Sequence, residues 1–226
     1  TRLGASMTTA WSMPIEQEPT APPVPVPPGF RYPVGESHCE SCGQPVGAFA
    51  IDRLTGLYDR WGWDDRAPRV LRAVRQRQEP AALLMMDLDH FKSVNDQFGH
   101  LAGDTVLRAV ANVLREATGA GDVVGRYGGH GGDEFLALLP GTDRDRALIV
   151  ATRIRETVKS LQVTVPDAGS RLRATLTGQT VSIGIALYRP RYDDATNLDD
   201  LVLDADAALL MAKREGRDRI HTLSRP

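Results

Sequence analysis

Cysteine is nearly missing from this chain: its 226 residues include two, Cys39 and Cys42. Two thiols so close in sequence cannot form a disulfide framework, which excludes a small secreted scaffold. Long apolar runs are also missing. The longest, Ala81–Met86 and Ala207–Ala212, fall far short of the ~20 residues a membrane helix needs. No basic segment leads into an apolar one at the start, so the expectation is a cytoplasmic protein with no secretory signal and no membrane contact. Neither charge sign dominates: 27 Lys and Arg stand against 29 Asp and Glu, a net −2. A binder of nucleic-acid polymers or anionic membranes would be distinctly basic. What is present is ordinary. An apolar share of 42% supports a sizeable core, and the length suits one domain or one domain with an appendage.

Proline is the uneven part of the composition. Eight of the 15 fall between Pro14 and Pro33, where they remove backbone donors and favour extended polyproline II. Residues 1–50 therefore read as a flexible or semi-rigid tail, and 51–226 as the folded domain. Thr1–Ser6 precede Met7 and read as a vector remnant. Within the tail, SHCESCGQPVG (Ser37–Gly47) holds one Cys-x-x-Cys followed by Gly, as in one knuckle of a zinc ribbon. The second knuckle is absent. A dimer can complete a four-cysteine Zn²⁺ site, His38 can add a ligand, or Cys39 and Cys42 can be two reduced surface thiols; the three readings stay open.

From Ile51 regular patterns take over. Asp59 can cap a helix running toward Gln78, which Pro68 should kink or split. The run Ala81–Leu88 reads as a buried central strand. A second helix is expected over Gly103–Thr118, with Val106, Leu107, Val110, Val113, Leu114 and Ala117 at helical spacing. Strands Asp122–Tyr127 and Asp133–Leu139 flank a glycine-rich turn and form a hairpin. A third helix follows over Arg144–Leu161, then Arg171–Leu176 and Thr180–Tyr188 as another strand pair. The last helix starts at an Asn197 cap and stops at Gly216. This order predicts an α+β sandwich: a central, mainly antiparallel five-stranded sheet flanked by helices.

Three clusters carry chemistry. In DLDHFKSVNDQFGHLAGD (Asp87–Asp104), Asp87 and Asp89 close an apolar strand, where carboxylates are costly unless paired or metal-bound. Hard oxygen donors suit Mg²⁺, and the helix start after them offers free N–H groups to phosphate, with Lys92 nearby. In RYGGHGGDEF (Arg126–Phe135), four glycines precede Asp133 and Glu134. If this hairpin lies beside the Asp87 strand, three carboxylates converge on one edge, as metal-assisted phosphoryl displacement requires. In AKREGRDR, Lys213 and Arg217 are four apart and expected on one helix face.

Taken with DRLTGLYDR (Asp52–Arg60) and VSIGIA (Val181–Ala186), these strings occur in the order and spacing of the GGDEF domain. Over Ile51–Leu223 the chain resembles diguanylate cyclases. The resemblance implies a palm-like, ferredoxin-like fold and condensation of two GTP to cyclic di-GMP with release of two pyrophosphates, each subunit of a homodimer holding one GTP. It implies that Asp87 and Asp133, with the Leu88 carbonyl, hold Mg²⁺ or Mn²⁺. Glu134 would deprotonate the 3′-hydroxyl or support a second metal, and Asn95 and Asp104 would read guanine. Backbone groups of His90, Phe91 and Lys92 would cradle phosphate, and Lys92, Lys213 and Arg217 would supply cations. The competing implication is a catalytically impaired GGDEF module that binds GTP or cyclic di-GMP as a sensor.

Two departures stand out. Gly128-Gly129-His130 intervene where the family runs directly from Arg-Tyr into Gly-Gly-Asp-Glu-Phe. An odd insertion inside a strand would flip every later side chain, so it is expected in a longer, mobile turn, with Asp133 at its usual place rather than His130. The family's Arg-x-x-Asp product-inhibition motif is Gly119–Asp122 here, and the guanidinium is missing.

Overall fold

The described residues begin with two short strands, β1 (Ser37–His38) and β2 (Pro45–Val46), paired antiparallel. Then come α1 (Arg60–Gln76), β3 (Ala81–Leu88), α2 (Phe91–Phe98), α3 (His100–Ala117), β4 (Val123–Arg126) and β5 (Glu134–Pro140). They are followed by α4 (Arg144–Ser160), β6 (Val163–Pro166), β7 (Arg173–Leu176), β8 (Val181–Tyr188), α5 (Leu198–Arg214) and β9 (Ile220–Leu223). The structure, a computed structural model, describes residues 37–38, 45–46, 50–128, 132–166, 173–190 and 197–223.

The main sheet has five strands in the order β4-β5-β3-β8-β9, antiparallel except for the parallel β8–β9 pair. Central β3 is buried along nearly its whole length because both its faces are covered. On one face Leu83 and Met85 meet Trp63 and Leu71 of α1 and Leu201 and Leu209 of α5. On the other, Leu84 and Met86 meet Leu107 and Leu114 of α3 and Ile154 of α4. The expected α+β architecture is therefore the observed one. Removing a fully buried leucine from either layer costs roughly 2–5 kcal/mol, so the layers hold the strand ends in place for the site.

Four local expectations need correction. Helix α1 runs unbroken through Pro68. The carbonyl that loses its partner there belongs to solvent-exposed Asp64, where solvent can take the place of the missing N–H. Residues 91–98 form a helix of their own, and α3 begins at His100, because Gly99 at φ +83° breaks one helix from the next. Strand β7 pairs with β6, not with β8. Only Leu176 of its four residues is buried, so it has no two-sided apolar surface with which to join the main sheet. The fifth strand is instead β9, whose four half-buried residues give almost no periodic signal.

Candidate active site

The site is built at the end of β3. Antiparallel register sets Asp87 opposite Glu134 of β5 on one side and Ser182 of β8 on the other. Directly opposed residues share a face, so both acids point to the side carrying α1 and α5. Asp133 stands just before β5, and its carbonyl accepts the Leu88 N–H at 3.3 Å. The Leu88 side chain is buried, which leaves only its backbone for a ligand. Phe135 inserts into the opposite core layer at 1% exposure, locking the alternation that sends Glu134 outward to the site.

Helix α5 supplies the cation. A Cβ on Gly184 would lie 2.1 Å from the Ala205 carbonyl oxygen and 2.3 Å from the Leu209 nitrogen. Only glycine lets the helix backbone rest directly on β8. One turn beyond Leu209, Lys213 Nζ reaches Asp87 Oδ2 at 2.8 Å. Burial pushes the Asp87 carboxyl above the usual carboxylate range; the Lys213 hydrogen bond and charge oppose it, while Asp133 and Asp89 add repulsion. Glu134 is raised as well, first by burial and then by Asp87, with Lys213 opposing and Asp133 and Asp206 adding to the rise. One ammonium thus faces a crowd of acids, an arrangement that attracts further positive charge. Among the described residues no three His, Cys, Asp or Glu side chains form a ready-made metal cage.

The turn after β3 is held by Asp89. Its carboxylate is buried at 6% exposure and accepts from Thr180 Oγ1 (2.8 Å), Ser182 Oγ (2.7 Å) and the Asp218 N–H (3.0 Å). It is therefore a structural acceptor, not an open ligand beside Asp87. His90 follows at φ +58° and gives α2 no side-chain cap, so the first N–H groups of that helix lack a side-chain acceptor. Phe91 is buried in the core and offers only its backbone; Lys92 is exposed. On α2, Asn95 lies against α3. A Cβ on Gly103 would sit 1.9 Å from Asn95 Oδ1, so glycine makes room for the amide beside Asp104, the next residue.

Lys213 and Arg217 do not share a helix face. Helix α5 ends at Arg214, and the chain turns back with Gly216 at φ +117°. The Arg217 N–H bonds the Ala212 carbonyl (3.0 Å) and the Gly216 N–H that of Lys213 (3.4 Å), the pattern of a Schellman ending. Arg217 is exposed beyond it.

Sequence reasoning missed the residues that brace this site. Asp52 Oδ2 accepts from the Thr55 N–H (3.0 Å) and hydroxyl (2.5 Å) and pairs with Arg126 Nη1 at 3.2 Å. Arg126 Nε in turn donates to the Gly132 carbonyl at 2.6 Å, fixing the chain one residue before Asp133. The i,i+3 spacing of Asp52 and Thr55 was readable as a turn; its partner 74 residues away was not. Gly129, His130, Gly131, Cys39 and Cys42 lie outside the described residues. On either side of the three extra residues the ladder is in frame: Arg126 faces Phe135 and the Tyr127 N–H bonds the Glu134 carbonyl.

The family profile described as "Diguanylate cyclase, GGDEF domain" matches residues 49–219. The chain belongs to the GGDEF family. Among curated relatives, the probable diguanylate cyclase DgcC of Escherichia coli K12 is 32% identical over 169 residues, 74% of this chain and 42% of that protein. Diguanylate cyclase TpbB of Pseudomonas aeruginosa is 39% identical over 168 residues, 74% of this chain and 35% of that protein. The matched stretch is thus less than half the length of these relatives. Among solved structures, the GGDEF domain of DgcB from Caulobacter crescentus in complex with c-di-GMP is 31% identical, with a TM-score of 0.67, covering 76% of this chain and 92% of that one. Among the described residues of this GGDEF protein, no helix is long and apolar enough to cross a membrane.

Proposed function

We propose that this GGDEF domain is a diguanylate cyclase, condensing two GTP into cyclic di-GMP and two pyrophosphates across a pair of like domains. The observation that carries the reading is the opposition of Asp87 and Glu134 across β3–β5, with Asp133 adjacent and Lys213 bonded to Asp87. The names of the relatives support it. Residues 51–226 are taken as the catalytic unit and 1–50 as its appendage.

The donor set fits Mg²⁺ or Mn²⁺: hard oxygens, half-buried and short of positive charge. Asp87, Asp133 and the Leu88 carbonyl would hold the ion, with Glu134 beside them. When bound it supplies Lewis-acid polarisation of phosphoryl oxygens. Glu134, raised by burial and by Asp87, is the residue to take the proton of an attacking 3′-hydroxyl. Asn95 offers guanine a donor and an acceptor, and Asp104 accepts from its N–H groups. Backbone N–H groups of His90, Phe91 and Lys92 stand free for phosphate. Lys92, Lys213 and Arg217 neutralise the β- and γ-phosphates, which requires Lys213 to share itself between Asp87 and the nucleotide.

Incubation with GTP and Mg²⁺ followed by separation of the nucleotides tests this. Wild-type protein forms cyclic di-GMP. Glu134→Gln loses at least about 100-fold in rate, in keeping with loss of a general base, and keeps nucleotide affinity within a few-fold. Equal rates in the two proteins contradict the assignment.

A further inference from the structure

Between α5 and β9 two consecutive non-glycine residues adopt left-handed backbone: Arg217 at φ +63° and Asp218 at φ +45°. Such conformations are uncommon outside glycine, and persist where the surroundings over-determine them. Here the surroundings act through Asp218. Its N–H donates to buried Asp89 Oδ2 at 3.0 Å. Its carbonyl accepts from Arg155 Nη1 at 3.1 Å, and its Oδ1 accepts from the same nitrogen at 2.8 Å. Its Oδ2 meets Lys159 Nζ at 2.5 Å. Every polar group of the residue is engaged, by two cations one turn apart on α4 and by the carboxylate that also holds Thr180 and Ser182. The Arg217 carbonyl is held too, by Arg219 Nε at 3.1 Å. The Arg217 side chain joins none of these bonds and stays exposed.

We infer that Asp218 is a positioning residue: clamped by Arg155, Lys159 and Asp89, it holds Arg217 in left-handed backbone so that its guanidinium points at the nucleotide's β- and γ-phosphates. The inference rests on the cyclase reading of the site. A loop that had only to join α5 to β9 would not need a side chain bonded to a helix on the opposite face of the sheet. Freed from the clamp, Arg217 would relax toward ordinary backbone and aim its long side chain elsewhere. The bond that would otherwise be specific to the triphosphate is then lost, while contacts to guanine remain.

Calorimetric titration with α,β-methylene GTP and with GMP, each with Mg²⁺, separates positioning from general support. Asp218→Ala is expected to weaken the triphosphate about tenfold and to change GMP less than twofold. Arg217→Ala should do the same, and the double variant should be no weaker than either alone, since the two act through one contact. Asp218→Asn, which tolerates left-handed backbone and keeps one acceptor, should recover most of the loss. Arg155→Gln, on the α4 surface, should lose severalfold for the triphosphate only, and it carries the test if Asp218→Ala does not fold. Equal weakening of both ligands, additive losses, or unchanged triphosphate affinity in Asp218→Ala and Arg155→Gln overturns the inference and leaves the cyclase reading standing. Wild-type protein that binds neither nucleotide overturns the reading of the site, and this inference with it.

Discussion

Two residues show how the local chemistry can be weighed. Asp52 is half-buried, which alone would raise its carboxyl, but the Thr55 hydrogen bond and the Arg126 charge outweigh burial and hold it below its ordinary 3.8. A carboxyl depressed in the folded state contributes stability that is present above 3.8 and is lost as pH falls through the folded value. Asp52→Asn should therefore cost on the order of 1–2 kcal/mol at neutral pH. The gap in melting temperature from wild type should narrow as pH falls below about 4. A gap that stays constant down to pH 3 would show that the charge on Asp52 is not what matters. Gly103 poses a contest between two effects. Alanine is the better helix former by about 1 kcal/mol, yet its Cβ would lie 1.9 Å from Asn95 Oδ1 and 3.0 Å from the Phe91 ring. The amide must move, so Gly103→Ala should raise the KM for GTP about tenfold, roughly 1.4 kcal/mol, with little change in Tm. An unchanged KM would remove Asn95 from guanine recognition.

At the scale of elements, the turn between α3 and β4 makes a prediction of its own. Asp122 accepts the Gly119 N–H at 2.7 Å, so the acid that the family resemblance aligns with the Arg-x-x-Asp motif is a turn acceptor, and glycine stands three residues before it. Added cyclic di-GMP should leave the initial rate unchanged at concentrations up to tens of micromolar; tight submicromolar inhibition would contradict this. Elements with strong one-dimensional signals were legible in the sequence. The unbroken apolar run of β3, the helical spacing of α3 and the Asn197 cap of α5, a full capping box, all lie where their patterns place them. Elements defined by partners rather than by pattern were not. Strand β9 exists because β8 has a free edge, and β7 turns to β6 because only Leu176 is buried. The site divides the same way. The positions of Asp87, Glu134 and Lys213 follow from strand ends and helix spacing. Asp89, Arg126 and Asp218 each rely on at least one partner 74 or more residues away, which no local pattern encodes.

For the whole molecule, the two core layers fix the strand ends, and the acids at those ends leave a deficit of positive charge that a divalent cation would meet. The net charge of −2 accords with the proposed site, in which a few placed cations rather than a basic surface would meet the phosphates. In the proposed reading a single domain would hold one GTP, so joining two would require two copies. The most direct measurement is product formation from GTP and Mg²⁺ across a dilution series of the protein. The account predicts cyclic di-GMP and pyrophosphate in a ratio of about 1:2, with a rate that rises as the square of protein concentration where dimers are scarce. Intact GTP at every protein concentration, or a rate strictly proportional to protein down to the lowest dilution, would contradict it.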